Sequence, residues 1–312
     1  MSVVAKAPKI IIINPIGRVM RKLIIGCGYL GERVARNWLD NGYETWVLTR
    51  SEERAARLAE SGLNPLIGDV LDLGSLQKFP QVETILFAVG FDRASKRSKR
   101  TVYVEGLRNV LKENRGKFQR IVYISSTSVY GQDNGEFVDE FSAASPSEEN
   151  GCICRDAEAV VSEPFRRADQ DARTGEAVVL RLAGIYGPGR LLAREQQLRR
   201  GGLLSGNPDA WLNLIHVEDA VQAVLAAEDR GRAGETYLVC DDQPIRRREY
   251  YAALASQLGI VPPGFEEVAA DAPERRRFNK RCVNRRMREE LCVKLQSPTV
   301  IEGLRHLFEG QQ

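Results

Sequence analysis

Three observations predict an α/β protein built on a doubly wound parallel sheet with a smaller C-terminal lobe. Short apolar runs alternate with helical segments from about residue 21 to residue 182, at the spacing of βαβ units. A glycine-rich turn joins the first of these runs to the first helix. Beyond residue 184 the rhythm changes to Gly- and Pro-rich loops between short elements, Gly184 to Arg190 and Gly201 to Pro208 among them.

Taken in order, Lys22 to Ile25 is an apolar run suited to a buried parallel strand. Gly26-Cys27-Gly28-Tyr29-Leu30-Gly31 follows and satisfies G-x-G-x-x-G, and Glu32 to Leu39 then carries Val34, Ala35, Trp38 and Leu39 on one helical face. In a Rossmann-type turn Gly26 permits the tight bend, Gly28 lets the backbone approach a pyrophosphate, and Gly31 lets helix pack on strand. The helix N-terminus offers free N–H groups and a partial positive charge to the phosphates. Glu44 to Thr49 reads as the second strand, and Ser51 as N-cap of a helix over Glu52 to Glu60 that Gly62 closes. Leu63 to Val70 carries the third strand, Thr84 to Val89 the fourth, ending at Gly90, and Arg120 to Ser125 the fifth. A basic stretch from Arg93 to Arg100 opens the helix between the last two, periodic over Val102 to Leu111. A polar segment, Gly131 to Asn150, leads to a helix over Arg155 to Arg166 and a sixth strand over Ala177 to Leu182. The lobe beyond holds helices over Glu218 to Glu228, Arg247 to Leu258 and Thr299 to Leu307, and a strand over Thr236 to Cys240.

The domain expectation is an NAD(P)-binding Rossmann domain over residues 20–183 and a substrate lobe over 184–312 with some return to the sheet. Residues 1–19 are expected to be a disordered extension or the product of a misassigned start, since Asn14-Pro15 stops the only apolar run, Ile10 to Ile13. Basic and acidic residues nearly balance, 45 against 42, so no global charge points to nucleic acid or to a membrane surface. No apolar run approaches the ~20 residues of a membrane-spanning helix. The six cysteines form no C-x-x-C pair and only His216 and His306 could join them, which argues against a zinc site. Without a secretory signal the thiols are expected reduced, in the cytoplasm. The basic segment Glu274 to Glu290 reads as a solvated face rather than a phosphate site.

The end of the second strand bears on the nucleotide. NAD sites usually place Asp or Glu there for the ribose 2′-OH, whereas this chain has Thr49-Arg50-Ser51. Arg50 can pair with a 2′-phosphate and Ser51 can donate to it, so NADP is preferred over NAD. Asp69 is expected beside the adenine.

Five stretches resemble the extended short-chain dehydrogenase/reductases, the NAD-dependent epimerase/dehydratase family: GCGYLG at 26–31, GDV at 68–70, ISSTSVYG at 124–131, LRLAGIYGPGR at 180–190 and LIHVEDAVQAV at 214–224. Gly106 in VEGLRNVL fits the family's fourth helix, and RCVNRRMREEL at 281–291 resembles the YeeZ-like branch, whose members carry the name nucleoside-diphosphate-sugar epimerase. The resemblance implies cofactor contacts from Gly26, Gly28, Tyr29, Leu30, Gly31, Arg50, Ser51, Asp69, Val70, Ala88, Val89, Gly90 and Ser125. It implies a small-molecule substrate, a nucleotide sugar or a similar carbonyl or hydroxyl compound, and a homodimer formed through the fourth and fifth helices. It also implies a catalytic Ser, Tyr and Lys. Ser126 matches the serine, but Asn150 stands at the tyrosine place, Cys154 at the lysine place, and Tyr103 at the usual fourth-helix asparagine. No Tyr-x-x-x-Lys occurs between Ser126 and Leu180. Ser126 with Tyr103 or Tyr186 is the candidate catalytic set, and Arg155, beside the lost lysine, the candidate for its ribose contact. Cys152 and Cys154 read as inert helix residues. His216 and Asp219 read as structural residues at a helix start. Two functions stand: a NADP-dependent oxidoreductase or epimerase with a non-standard acid/base, which is preferred, and a catalytically inactive NADP(H)-binding sensor.

Overall fold

The computed structural model describes residues 12–13, 17–92, 94–166, 175–266 and 279–309. The chain opens with β1 (Arg21–Ile25), α1 (Tyr29–Asp40), β2 (Glu44–Thr49), α2 (Glu52–Glu60), β3 (Asn64–Ile67), α3 (Leu73–Leu76) and β4 (Val82–Phe87). A π-helical turn, Thr101–Glu105, runs into α4 (Gly106–Glu113), followed by β5 (Phe118–Ser126), β6 (Glu136–Val138), α5 (Glu149–Arg166) and β7 (Glu176–Leu182). Then come β8 (Gly184–Tyr186), α6 (Leu192–Arg200), β9 (Trp211–Leu212), β10 (Leu214–His216), α7 (Val217–Arg230), β11 (Thr236–Val239), β12 (Ile245–Arg246), α8 (Arg247–Gln257), β13 (Lys280–Cys282), α9 (Arg285–Glu289) and α10 (Val300–Glu309). Seven strands form the central sheet in the order β11-β7-β5-β4-β1-β2-β3. Its reversal of direction at β1 makes it doubly wound, as the strand–helix alternation predicts.

Contacts divide the chain into two compact units, Met1–Ile124 with Ala157–Val178, and Ser125–Asp156 with Val179–Gln312. The division therefore runs through β5, α5 and β7 rather than at a single cut.

In the first unit β1 is buried from Lys22 to Ile25, because helices cover both faces of a parallel strand. Lys22 tolerates this burial by lying over the rings of Trp38 and Tyr43, 5.0 and 3.5 Å from their centroids. The apolar stripe of α1, Leu30, Val34, Ala35 and Trp38, is buried as its spacing predicts. Ser51 caps α2, accepting from Arg54 N–H at 3.2 Å, and Gly62 leaves that helix with φ +86°. Gly106 sits where a Cβ would come within 2.5 Å of Val70 Cγ2, so glycine lets α4 approach the turn after β3. Among residues 1–19 the described ones, 12–13 and 17–19, make contacts. Ile12 N–H donates to Gly42 O at 3.0 Å, Ile13 pairs antiparallel with Val19, and Arg18 donates to Gln81.

The second unit holds two apolar clusters. One gathers Tyr186, Leu214, Ile245, Tyr250, Leu254 and Leu304, and the other Val129, Tyr130, Val138, Cys154, Leu238, Cys240 and Cys282. His216 starts α7, its Nδ1 accepting from Glu218 N–H at 3.3 Å. Asp219, fully buried, accepts from the N–H groups of Gln296 and Ser297 at 2.7 and 3.0 Å, which ties α7 to the segment before α10. His216 and Asp219 thus do the structural work expected of them. Of the basic segment over 274–290, Arg275, Arg276 and Arg277 lie outside the described residues, as does Arg93. Arg286 pairs with Glu290 and Glu235 at 2.7 and 2.9 Å.

Candidate functional site: a dinucleotide cleft in the first unit

The glycine turn after β1 is shaped by backbone approach. Gly26 has φ +98°, and a Cβ there would lie 2.4 Å from the carbonyl of Ala88 at the end of β4. At Gly31 a Cβ would lie 2.5 Å from Gly26 O, so the third glycine closes the helix onto the turn. Gly28 differs: a Cβ there would meet nothing within 4 Å. Its missing side chain leaves the cleft open beside the first N–H groups of α1, the arrangement that a pyrophosphate needs. Cys27 between them is buried, and burial pushes its thiol up to about 11 against the pull of Arg54, so it stays protonated at neutral pH.

The cleft has a volume of about 760 Å³ and runs from this turn past the ends of β2, β3 and β4. Gly26, Gly28, Arg50, Ser51, Asp69, Val70, Val89 and Gly90 all line it. Ala88 does not line it but backs Gly26, and its N–H donates to Ile25 O at 2.8 Å. Tyr29 and Leu30 are absent from the wall as well. Leu30 is buried in the packing of α1, and the Tyr29 ring lies under Arg33, 4.2 Å from its guanidinium carbon. Asp69 accepts from Leu71 N–H at 2.9 Å and stands 4.0 Å from Arg97.

Two features of this wall escape sequence reading. Arg54, one turn into α2, donates to the carbonyl of Cys27 and brings a second guanidinium to the cleft beside Arg50. Its place, three residues after the cap, was the available signal. The second feature is a carboxylate beside Arg50, although the end of β2 itself carries none. Asp92, in the loop after β4, accepts from Arg50 at 2.9 Å, and this hydrogen bond holds its carboxyl below the usual carboxylate range. The two residues are 42 apart in sequence, so no local pattern pairs them.

Tyr103, also in the first unit, is on the π-helical turn, with the ammonium of Lys99 5.0 Å from its ring centroid. Such turns recur at functional sites because the widened backbone re-aims side chains.

The remaining candidates belong to the second unit. Ser126 ends β5, and its Oγ accepts from Ser128 N–H at 3.1 Å. Asn150 is exposed, while Cys154 is buried in an apolar cluster with its sulfur 3.8 Å from Ser128 Oγ. Cys152 lies 3.4 Å from Pro146 O. Arg155 is exposed and pairs with Asp156 at 3.3 Å. Tyr186 is 1 % exposed, edge-on to His216, and a Cβ at Gly303 would come within 1.9 Å of its hydroxyl. Burial raises its pKa. Tyr130 is likewise enclosed: Arg181 donates to its hydroxyl and Lys280 to its carbonyl, both at 2.9 Å. Burial raises the Tyr130 phenol and lowers the Lys280 ammonium in this buried polar brace.

A family model described as the NAD dependent epimerase/dehydratase family matches residues 23–240. Protein YeeZ of Escherichia coli is 26% identical over 259 residues, covering 79% of this chain and 87% of its own. Human short-chain dehydrogenase/reductase family 42E member 1 is 29% identical over 273 residues, 76% of this chain and 67% of its own. Among solved structures, DesIV, a dTDP-glucose 4,6-dehydratase of Streptomyces venezuelae solved with NAD bound, superposes with a TM-score of 0.78 at 22% identity, over 93% of this chain and 96% of that one. No described helix is long and apolar enough to cross a membrane.

Proposed function

The chain belongs to the NAD dependent epimerase/dehydratase family, and from that premise we propose that it is a cytoplasmic NAD(P)-dependent oxidoreductase or epimerase, with NADP(H) preferred, acting on a nucleotide sugar or a similar carbonyl or hydroxyl compound. The observation that carries this reading is the open face at Gly28 beside a wall bearing Arg50, Ser51 and Arg54. A dinucleotide held there would place its pyrophosphate at the start of α1 and its adenosine ribose near the end of β2. Bound NAD(P) supplies a hydride acceptor or donor; the chain's residues position it and handle the substrate proton.

The cofactor preference is a contest between two terms. A charge-assisted contact from Arg50 to a 2′-phosphate contributes about 1.5–3 kcal/mol. Releasing Arg50 from Asp92 costs little, because both partners are half-exposed and solvent screens such a pair. NADP(H) should therefore bind roughly tenfold tighter than NAD(H), and Arg50→Ala should erase the difference. Calorimetric titration of both cofactors against both proteins checks it, and equal affinities in the parent would overturn the preference.

For proton transfer we assign Tyr103, on its π-helical turn beside Lys99; separately, Ser126 stands at the family's serine place. Tyr103→Phe should then lower kcat by about 10²- to 10⁴-fold, the usual share of general acid–base assistance, while cofactor affinity stays unchanged. A second reading, a NADP(H)-binding sensor without turnover, draws on one observation: Cys154 is buried among apolar side chains where the family places its lysine. It wins if no panel of nucleotide sugars and simple carbonyls is turned over and Ser126→Ala changes nothing.

A further inference from the structure

Besides Asp69 the cleft holds a second carboxylate, placed after β4 and not at the end of β2 as in the usual pattern. Asp92 reaches it from the loop after β4, and its position is fixed from two sides. Oδ1 accepts from Ala94 N–H at 3.0 Å, which folds the loop back on itself, and Oδ2 accepts from Arg50 at 2.9 Å. Side-chain exposures of 54% for Arg50 and 46% for Asp92 leave both within reach of a ligand in the cleft they line. The neighbouring charges have other duties: Arg54 is turned to the carbonyl of Cys27, and Arg97 to Asp69.

We propose that Asp92 is a specificity-determining residue. It offers the ribose 2′-hydroxyl of NAD(H) the carboxylate that β2 lacks, and it competes with the 2′-phosphate of NADP(H) for Arg50. The inference rests on the reading of this cleft as a dinucleotide site. The physical logic follows from what each cofactor presents. A 2′-hydroxyl donates one hydrogen bond, and a carboxylate already oriented by Arg50 and Ala94 accepts it without rearrangement. A 2′-phosphate brings charge of its own. It takes the Arg50 guanidinium from Asp92 and leaves the freed carboxylate close to a like charge. The Arg50–Asp92 pair thus admits both cofactors and narrows the margin between them, where Arg50 alone would favour NADP(H) more sharply.

The test is calorimetric titration of NADP⁺ and NAD⁺ with the parent, Asp92→Asn, Asp92→Glu and Arg50→Ala, at low and at high salt. Asp92→Asn should tighten NADP⁺ about fivefold, as an exposed ion pair is released, and weaken NAD⁺ about fivefold, as a charged acceptor becomes neutral. The ratio of the two affinities should then move by more than tenfold at low salt and by less at high salt. Asp92→Glu should restore much of the parent ratio, and all variants should melt with the parent, since the pair lies on the surface. If Asp92→Asn leaves the ratio unchanged while both cofactors still bind, the inference is overturned and the cleft reading stands. If the parent binds neither dinucleotide, the cleft reading itself falls and takes this inference with it.

Discussion

Gly28→Val is expected to melt with the parent protein yet lose NADP(H) affinity by about 10- to 100-fold, the effect of about 1–3 kcal/mol of overpacking against a ligand. The expectation follows from the difference among the three glycines of the turn. A Cβ on Gly28 meets nothing of the protein within 4 Å, so the folded chain has room for a side chain there. The room is the cleft itself, where a pyrophosphate must touch the backbone. Gly26→Ala should behave in the opposite way. Its φ of +98° is unfavourable for any residue with a Cβ, and the new atom would lie 2.4 Å from the Ala88 carbonyl, which is backbone and cannot swing aside. That variant should lose several kcal/mol of stability, or fail to accumulate as folded protein, whatever ligand is present. Thermal melts paired with cofactor titration separate the two behaviours. A Gly28→Val protein that binds NADP(H) like the parent would remove the turn from the proposed site.

The difference between those glycines also shows which parts of the molecule a sequence can display. The sheet, the glycine turn and the cap of α2 are local patterns: period, spacing and a Ser followed by a helical run. Each appears in the structure within a few residues of its expected place, and family membership agrees with the resemblance read from five stretches. What stayed hidden depends on the folding of distant segments onto one another. Asp92 meets Arg50 across 42 positions, a separation at which no local pattern joins them. The burial of Tyr186 against Gly303 is set by the packing of α10, 117 positions away, so its GIYGPG setting could suggest a cleft residue. Strands of two or three residues, such as β9, β12 and β13, are too short to impose a period and are held by their partners. The helix over Arg155 to Arg166 begins earlier, at Glu149, and a Cβ at Gly151 would lie 2.3 Å from the carbonyl of Ser128.

The second large effect concerns stability and pH in the second unit. Asp241, at the end of β11, is 2 % exposed, and its Oδ2 has no hydrogen-bond partner among the described residues. Burial, with smaller contributions from the charges of Asp242 and Asp219, raises its pKa to about 8, while the N–H groups of Gln243 and Val300 pull the other way. An unfolded aspartate titrates near 3.9. Between roughly pH 4 and pH 8 the folded state therefore holds a proton that the unfolded state has released. The stability that this proton confers is full below pH 4 and drains away as the pH climbs towards 8, at up to ~1.4 kcal/mol per pH unit. The sign is opposite to that of a salt-bridged carboxylate, which stabilises at neutral pH and fails in acid. Asp241→Asn keeps the shape and cannot ionise, so it should remove this slope. It should match or fall slightly below the parent near pH 4, where an amide N–H₂ replaces a carboxyl, and exceed it at pH 8 by several kcal/mol. Urea unfolding of parent and variant at half-unit steps from pH 4 to pH 8 measures the two slopes. Parallel curves over that range would mean that Asp241 is ionised in the folded protein at neutral pH, and that the buried carboxylate finds solvation within the unit.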